Sequence, residues 1–227
     1  RHIYAATNLK LNDPKKVLEI LEPGIEQSTT PATLALFGLA AISDKQYDKG
    51  EKALLKSLEY DDKNIRVHMA LANYYRNKPS PSLAKEKEQL DKAFAISPTD
   101  KQVISDKLSF ILRNESVASA KQFVDKALSN HPKDYATNLL AGAFVASQQQ
   151  FEKALEYFTI ALKAEPKEKD LLNALFAKGR AELTLKKAAD AEETFKKVIE
   201  EFPDNQLGYK GALSVYIQKG KLTEGVK

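Results

Sequence analysis

Arginine is scarce in this chain and lysine abundant: the 227 residues hold 30 lysines but only five arginines, Arg1, Arg66, Arg76, Arg113 and Arg180. A guanidinium presents a flat fork that grips a carboxylate or phosphate through two parallel hydrogen bonds, whereas a lysine ammonium mostly keeps a surface hydrated. A few arginines set into a lysine-rich chain therefore point to recognition of acidic groups. No comparable pattern points to catalysis. His2, His68 and His131 are scattered, without a second histidine or a carboxylate at ligand spacing, so no metal site and no cofactor is expected. His68 falls where a helix would pack, which predicts a buried or half-buried structural histidine. There is no cysteine, no serine or threonine in a nucleophile motif and no cluster of glycines to cradle a phosphate, so the chain is read as a non-enzyme.

The elements that must position the arginines are written as a repeat. Pro98, Pro132, Pro166 and Pro203 follow one another at spacings of 34, 34 and 37 residues. Self-similarity at about 34 residues marks hairpins that cannot bury their apolar faces alone and stack on their neighbours. The clearest unit begins at Tyr135. There Gly142, Ala154 and Ala161 stand where two antiparallel helices must approach, and Phe151, Leu155, Phe158 and Leu162 supply bulk at helical spacing. Gly38, Tyr47, Gly50, Leu54 and Leu58 mark the same register in 31–64, and Gly179, Leu185, Ala191, Phe195 and Pro203 mark it in 172–205. The units 65–100 and 101–134 are worn, keeping Ala72, Tyr75 and Ala93 in one and Leu108, Ala120 and Ala127 in the other. In the former, Pro79 and Pro81 break the helix and lengthen the inner loop by about two residues. Residues 1–30 hold a degenerate hairpin whose second helix starts at Asp13 and Pro14 and ends at Pro23 and Gly24; 206–227 is a partial unit marked by Tyr216, Gly220, Leu222 and Gly225. The expectation is a single all-α array over 1–227, with units 31–64, 65–100, 101–134, 135–171 and 172–205 between the two incomplete ones.

The net charge of +4 arises from 35 basic and 31 acidic residues, interleaved as in Lys85, Glu86, Lys87 and Glu88. Such mixing predicts solvated helix faces and no nucleic-acid partner. No apolar run is long enough to span a bilayer. The chain opens without an initiator methionine or signal peptide and stops partway through a unit, so it is read as a segment of something longer.

Period and residue types together resemble the tetratricopeptide repeat. The resemblance implies a right-handed superhelix, or solenoid, of antiparallel helical hairpins, whose concave wall is lined by the first helix of each unit and holds a partner protein or peptide. Carried onto this sequence, the wall comprises Arg66, Met69, Asn73, Arg76, Gln102, Ser109, Arg113, Leu139, Ala143, Asn173, Phe176, Arg180 and Lys210, with Ala32, Ala35 and Leu39 at its start. Every arginine except Arg1 falls on it, which favours an acidic partner, with Phe176 and Leu139 supplying the apolar part. The competing reading has these arginines paired with acidic residues of the next repeat. Some family members clamp the terminal carboxylate of chaperone tails with a lysine and an asparagine one turn apart. The equivalent pairs here, among them Met69 and Asn73, Phe176 and Arg180, Lys210 and Ser214, do not match, which disfavours that role.

The phrases Asn138-Leu-Leu-Ala-Gly-Ala-Phe and Leu18-Glu-Ile-Leu-Glu-Pro are similar to those of the large bacterial tetratricopeptide lipoproteins that accompany exosortase and PEP-CTERM sorting systems in exopolysaccharide producers. That resemblance implies a periplasmic or envelope setting, with the cytoplasm as the alternative. Two other functions are open: a regulatory or targeting module of a larger enzyme such as a glycosyltransferase, and an array for acidic polysaccharide in which Tyr75 and Phe176 meet sugar faces. The oligomeric state is not legible from the sequence.

Overall fold

The structure, a computed structural model, describes Ala5 and residues 13–221, and every regular element among them is an α-helix. Arg1, His2, Leu222 and Gly225 lie outside the described residues. The chain divides into two compact units, Arg1–Pro98 and Thr99–Lys227. The first contains α1 (Pro14–Leu21), α2 (Pro31–Ser43), α3 (Tyr47–Tyr60), α4 (Ile65–Asn77) and α5 (Leu83–Ile96). The second contains α6 (Lys101–Asn114), α7 (Val117–Asn130), α8 (Tyr135–Ser147), α9 (Phe151–Lys163), α10 (Glu168–Thr184), α11 (Ala188–Glu201) and α12 (Gln206–Gln218).

In the first unit α2 packs on α3 and α4 on α5, α1 lies against α2, and the first helices α2 and α4 touch. In the second unit α6 pairs with α7, α8 with α9 and α10 with α11, while α6, α8, α10 and α12 meet in succession. Within each unit these are consecutive antiparallel helical hairpins, all-α as the sequence predicts.

Three small residues explain how closely the hairpins shut. A Cβ added to Gly142 would stand 2.4 Å from the Phe158 ring, one on Gly179 would stand 2.7 Å from Phe195, and one on Gly38 would stand 2.7 Å from Leu54. In each case a side chain of the second helix occupies the space that a side chain on the first would need. Phe195 fills two such gaps, because Gly211 on α12 would also bring a Cβ within 2.2 Å of its ring.

Six of the twelve described helices start on a side-chain cap. Asp13, Asn64, Asp100, Ser116, Asp134 and Asn205 each accept a hydrogen bond from a backbone N–H of the first turn. Three hairpins turn through three residues with the middle one left-handed: Lys45 at φ 65°, Gln149 at 60° and Lys186 at 59°. The loop 78–82 is longer, as Pro79 and Pro81 require, and Ser82 N–H closes it on the Tyr75 carbonyl at 3.0 Å.

Two sequence expectations need correction. The charged run 85–88 is not wholly solvated: Glu86 is only 1% exposed, because Glu86, Gln89, Leu90 and Ala93 recur at helical spacing along the buried stripe of α5. The first helix expected from residue 172 starts at Glu168. Its added turn is held at Asp170, whose carboxylate pairs with Lys101 and whose carbonyl accepts from the Tyr135 hydroxyl at 2.8 Å. Burial, with the Asp170 charge beside it, pushes the Tyr135 phenol above its usual range, so it stays a donor.

Candidate functional site

Each residue placed on the wall from sequence is at least partly open to solvent. On α4, Arg66 and Asn73 are exposed and Met69 and Arg76 half-buried; on α6, Gln102, Ser109 and Arg113 are exposed. On α8, Leu139 is half-buried and Ala143 exposed; on α10, Asn173 and Phe176 are half-buried and Arg180 exposed; Lys210 is exposed on α12. None is fully buried, although Phe176, Ala35 and Leu39 also pack against the core.

The structure brings two subsets together. In the first unit Arg76 Nη2 donates to Asn73 Oδ1 at 2.7 Å, and Asn77 donates to the same oxygen at 2.8 Å. Asn73 therefore steadies the guanidinium as an acceptor. In the second unit Phe176, Arg180 and Lys210 line one cavity of about 240 Å³ between α10 and α12, together with Leu183, Thr184 and Ser214. The Arg180 guanidinium lies 5.9 Å from the centre of the Phe176 ring, and that ring meets Phe195 edge-on at 6.0 Å. Phe195 and Gly211 form the back of the cavity, so the packing that shuts the hairpin also sets the depth of the site. The remaining wall residues of the second unit, Gln102, Ser109, Arg113, Leu139, Ala143 and Asn173, do not line it.

The cations of this cavity differ from the lysines that tie the fold together. Lysines make the ties between distant segments: Lys49 to Glu22 at 2.7 Å, Lys85 to Glu51 at 2.9 Å, Lys101 to Asp170 and Lys219 to Glu192. Arg180 and Lys210 form no ion pair among the described residues, and the cavity contains no carboxylate. Pairing with the next repeat is thus not what holds Arg180.

The wall expected from sequence does not include Leu183 and Thr184, one turn beyond Arg180, and Ser214, weighed there only as the partner of Lys210 in a carboxylate clamp, also lines the cavity. Thr184 and Ser214 hydroxyls donate back to the carbonyls of Arg180 at 2.9 Å and Lys210 at 2.9 Å, so each shields the helix turn that bears a cation. Tyr75 is not available to a sugar. It is 2% exposed, its hydroxyl donates to Glu51 at 2.8 Å, and Lys85 sits 5.0 Å over its ring. Burial disfavours the Glu51 charge, but hydrogen bonds from Lys85 and Tyr75 and the nearby lysine charges outweigh it and lower the carboxyl below its ordinary range.

His68 is the structural histidine expected. At 2% exposure its Nε2 lies 2.9 Å from the Asp62 carbonyl and its Nδ1 2.7 Å from the Gln89 amide. Asn138, at the equivalent place in α8, likewise donates to a carbonyl six residues back, that of Pro132, at 3.0 Å. Both side chains pin the connection that enters their hairpin.

With this geometry in hand, comparison with known proteins places the repeat. Residues 145–206 match the family model described as Tetratricopeptide repeat. This stretch is similar to the tetratricopeptide repeat. It runs from the end of α8 through the α10–α11 hairpin to the start of α12, and so contains Phe176 and Arg180. Solved tetratricopeptide-like structures share the fold over most of the chain. PilW, described as a widely conserved type IV pilus biogenesis factor, is 22% identical with a TM-score of 0.58, covering 86% of this chain and 90% of its own. Pseudomonas aeruginosa PilF is 14% identical with a TM-score of 0.57, covering 92% and 93%. Yeast Tom70 is 12% identical with a TM-score of 0.61, covering 95% of this chain and 53% of its own. No curated protein matches the sequence.

Proposed function

We propose that the chain is a non-catalytic interaction module that holds an acidic partner segment against the first helices of its second unit. One observation carries this reading: Arg180 and Lys210 line a common cavity beside the Phe176 ring, and no acidic side chain there neutralises them. Two cations left without a counter-charge repel each other, and a carboxylate bound between them relieves that cost. The ligand suited to the cavity presents an Asp, a Glu or a terminal carboxylate to Arg180 and Lys210 and lays a neighbouring apolar side chain on Phe176. Leu139 and Ala143 on the adjoining α8 extend the apolar track, with Asn173, Gln102, Ser109 and Arg113 as outlying polar contacts. Arg66, Met69, Asn73 and Arg76 offer a comparable surface within the first unit.

The test is fluorescence anisotropy with peptides that place Asp or Glu beside Phe or Leu. The double variant Arg180→Ala/Lys210→Ala is expected to weaken binding by roughly tenfold or more, and the loss should shrink as salt rises. Equal binding of peptides carrying Lys in place of the acid overturns the reading.

An acidic exopolysaccharide is the second ligand class, favoured by the same two cations; saturable titration with an anionic glycan, and none with the peptides, selects it. A regulatory or targeting role within a larger enzyme is checked by reading the gene beyond the stretch that encodes this chain. The setting we propose is the periplasmic side of a bacterial envelope, within an exopolysaccharide or protein-sorting system. The phrases around Asn138 and Leu18 support it, and fractionation of the native host is the check.

A further inference from the structure

The first helices of the second unit are tied together at one end by a contact that skips a hairpin. Asp170, in the first turn of α10, pairs through its carboxylate with Lys101 at the start of α6. Through its carbonyl it accepts from the hydroxyl of Tyr135, the first residue of α8. All three lie beside the wall: Lys101 directly precedes Gln102, Tyr135 stands one turn before Leu139, and Asp170 stands one turn before Asn173.

The turn that carries Asp170 is an addition with a poor start. α10 has 17 residues, where α2, α4, α6, α8 and α12 have 13 or 14. Its N-cap, Lys167, gives no side-chain hydrogen bond to the open amides of the first turn. The entry is also strained. Glu165 and Glu168 are left-handed at φ 51° and 48°, a conformation costly for a residue with a Cβ, and the connections 61–64, 97–100, 131–134 and 202–205 contain no such residue.

We propose that the Lys101–Asp170 pair is a latch that an acidic partner opens. A carboxylate that takes Lys101 displaces Asp170, and residues 168–171, no longer held, leave the helix and relieve the strain at their entry. The partner's part in this rests on the reading of the Arg180 cavity, whereas the latch itself does not. Ten residues separate Asp170 from Arg180 along α10, about 15 Å at 1.5 Å per residue. An extended segment with one acid on Arg180 and Lys210 therefore brings a second acid to Lys101 from roughly five residues away.

Amide hydrogen exchange of the full chain at residues 171–173 tests it. Lys101→Ala and Asp170→Asn are each expected to quicken exchange there at least threefold, with α9 and α12 unchanged, and Lys101→Arg should retain the parent rate. Glu168→Gln removes an acid from the same turn without touching the pair and should change little, which separates the latch from the general attraction of acids to a helix N-terminus. A peptide with Glu beside Phe and a second Glu five residues on should quicken the same amides in the parent chain. Its counterpart with Gln at the second position should bind without doing so. Unchanged exchange in Lys101→Ala, an equal effect of Glu168→Gln, or a two-acid peptide that binds and leaves these amides alone each overturns the proposal. If neither peptide binds, the reading of the Arg180 cavity fails and the partner's role with it, while the Lys101 and Glu168 variants still decide the latch.

Discussion

Two neighbouring hairpins of the second unit follow one repeat and shut in opposite ways. In α8–α9 the first helix yields: Gly142 leaves room and Phe158, 3% exposed, fills it. In α6–α7 the equivalent positions hold Leu108 and Val124, 6% and 3% exposed, so the larger side chain has moved to the first helix and the smaller to the second. The comparison teaches that the repeat keeps constant the filled volume between two helices and not the residue at a position, as expected of an interior packed to crystal-like density.

The largest effect should come from emptying the Gly142 site. Phe158→Ala is expected to cost about 3–5 kcal/mol in urea unfolding, because glycine opposite has nothing with which to fill the cavity. Val124→Ala should cost clearly less, and equal losses would break the comparison. Next, Gly142→Leu should destabilise by about 1–3 kcal/mol through overpacking, and adding Phe158→Val should recover part of that loss by recreating the arrangement of α6–α7. Strict additivity of the two substitutions would mean that the volumes are not exchanged between helices.

The turns sharpen the contrast on a smaller scale. Gln149 holds φ 60° in the α8–α9 turn, whereas Glu115 in the α6–α7 turn lies at φ −123°. Gln149→Gly should therefore raise stability by up to about 1 kcal/mol, while Glu115→Gly should not. Least of all, Lys121→Ala on α7 should leave the melting temperature unchanged, since its pairing with Asp125 is a solvent-exposed contact within one helix. A measurable loss there would indicate that the worn hairpin leans on surface charge.

Much of this was legible in the sequence, and the failures have physical causes. Gly38, Gly142 and Gly179 gave the register because glycine inside a helix is costly and needs a reason, which the neighbouring ring or branched side chain supplies. Pro79 and Pro81 gave the long inner loop for the equally local reason that proline cannot continue a helix. The burial of Glu86 is not legible in the alternation of charge, because it follows from the place of Glu86 on the buried stripe of α5 beside Gln89 and Leu90. Glu168 as the start of α10 was missed because the signals that fix it, Lys101 and Tyr135, are distant in sequence. At the candidate site the first-helix positions of Phe176, Arg180 and Lys210 were readable. Their convergence on one cavity was not, since it depends on how closely Phe195 lets α10 and α12 approach.

Phe195 has a consequence for how the chain opens. Its ring is fully buried and lies under both Gly179 of its own hairpin and Gly211 of the next. In an ideal array the internal stability of a repeat and its coupling to the neighbour are separate quantities, and the last helix can fray alone. Here one side chain belongs to both. Lifting α12 uncovers the ring that seals α10 to α11, so the three helices should exchange their slowest amide hydrogens as one cooperative block.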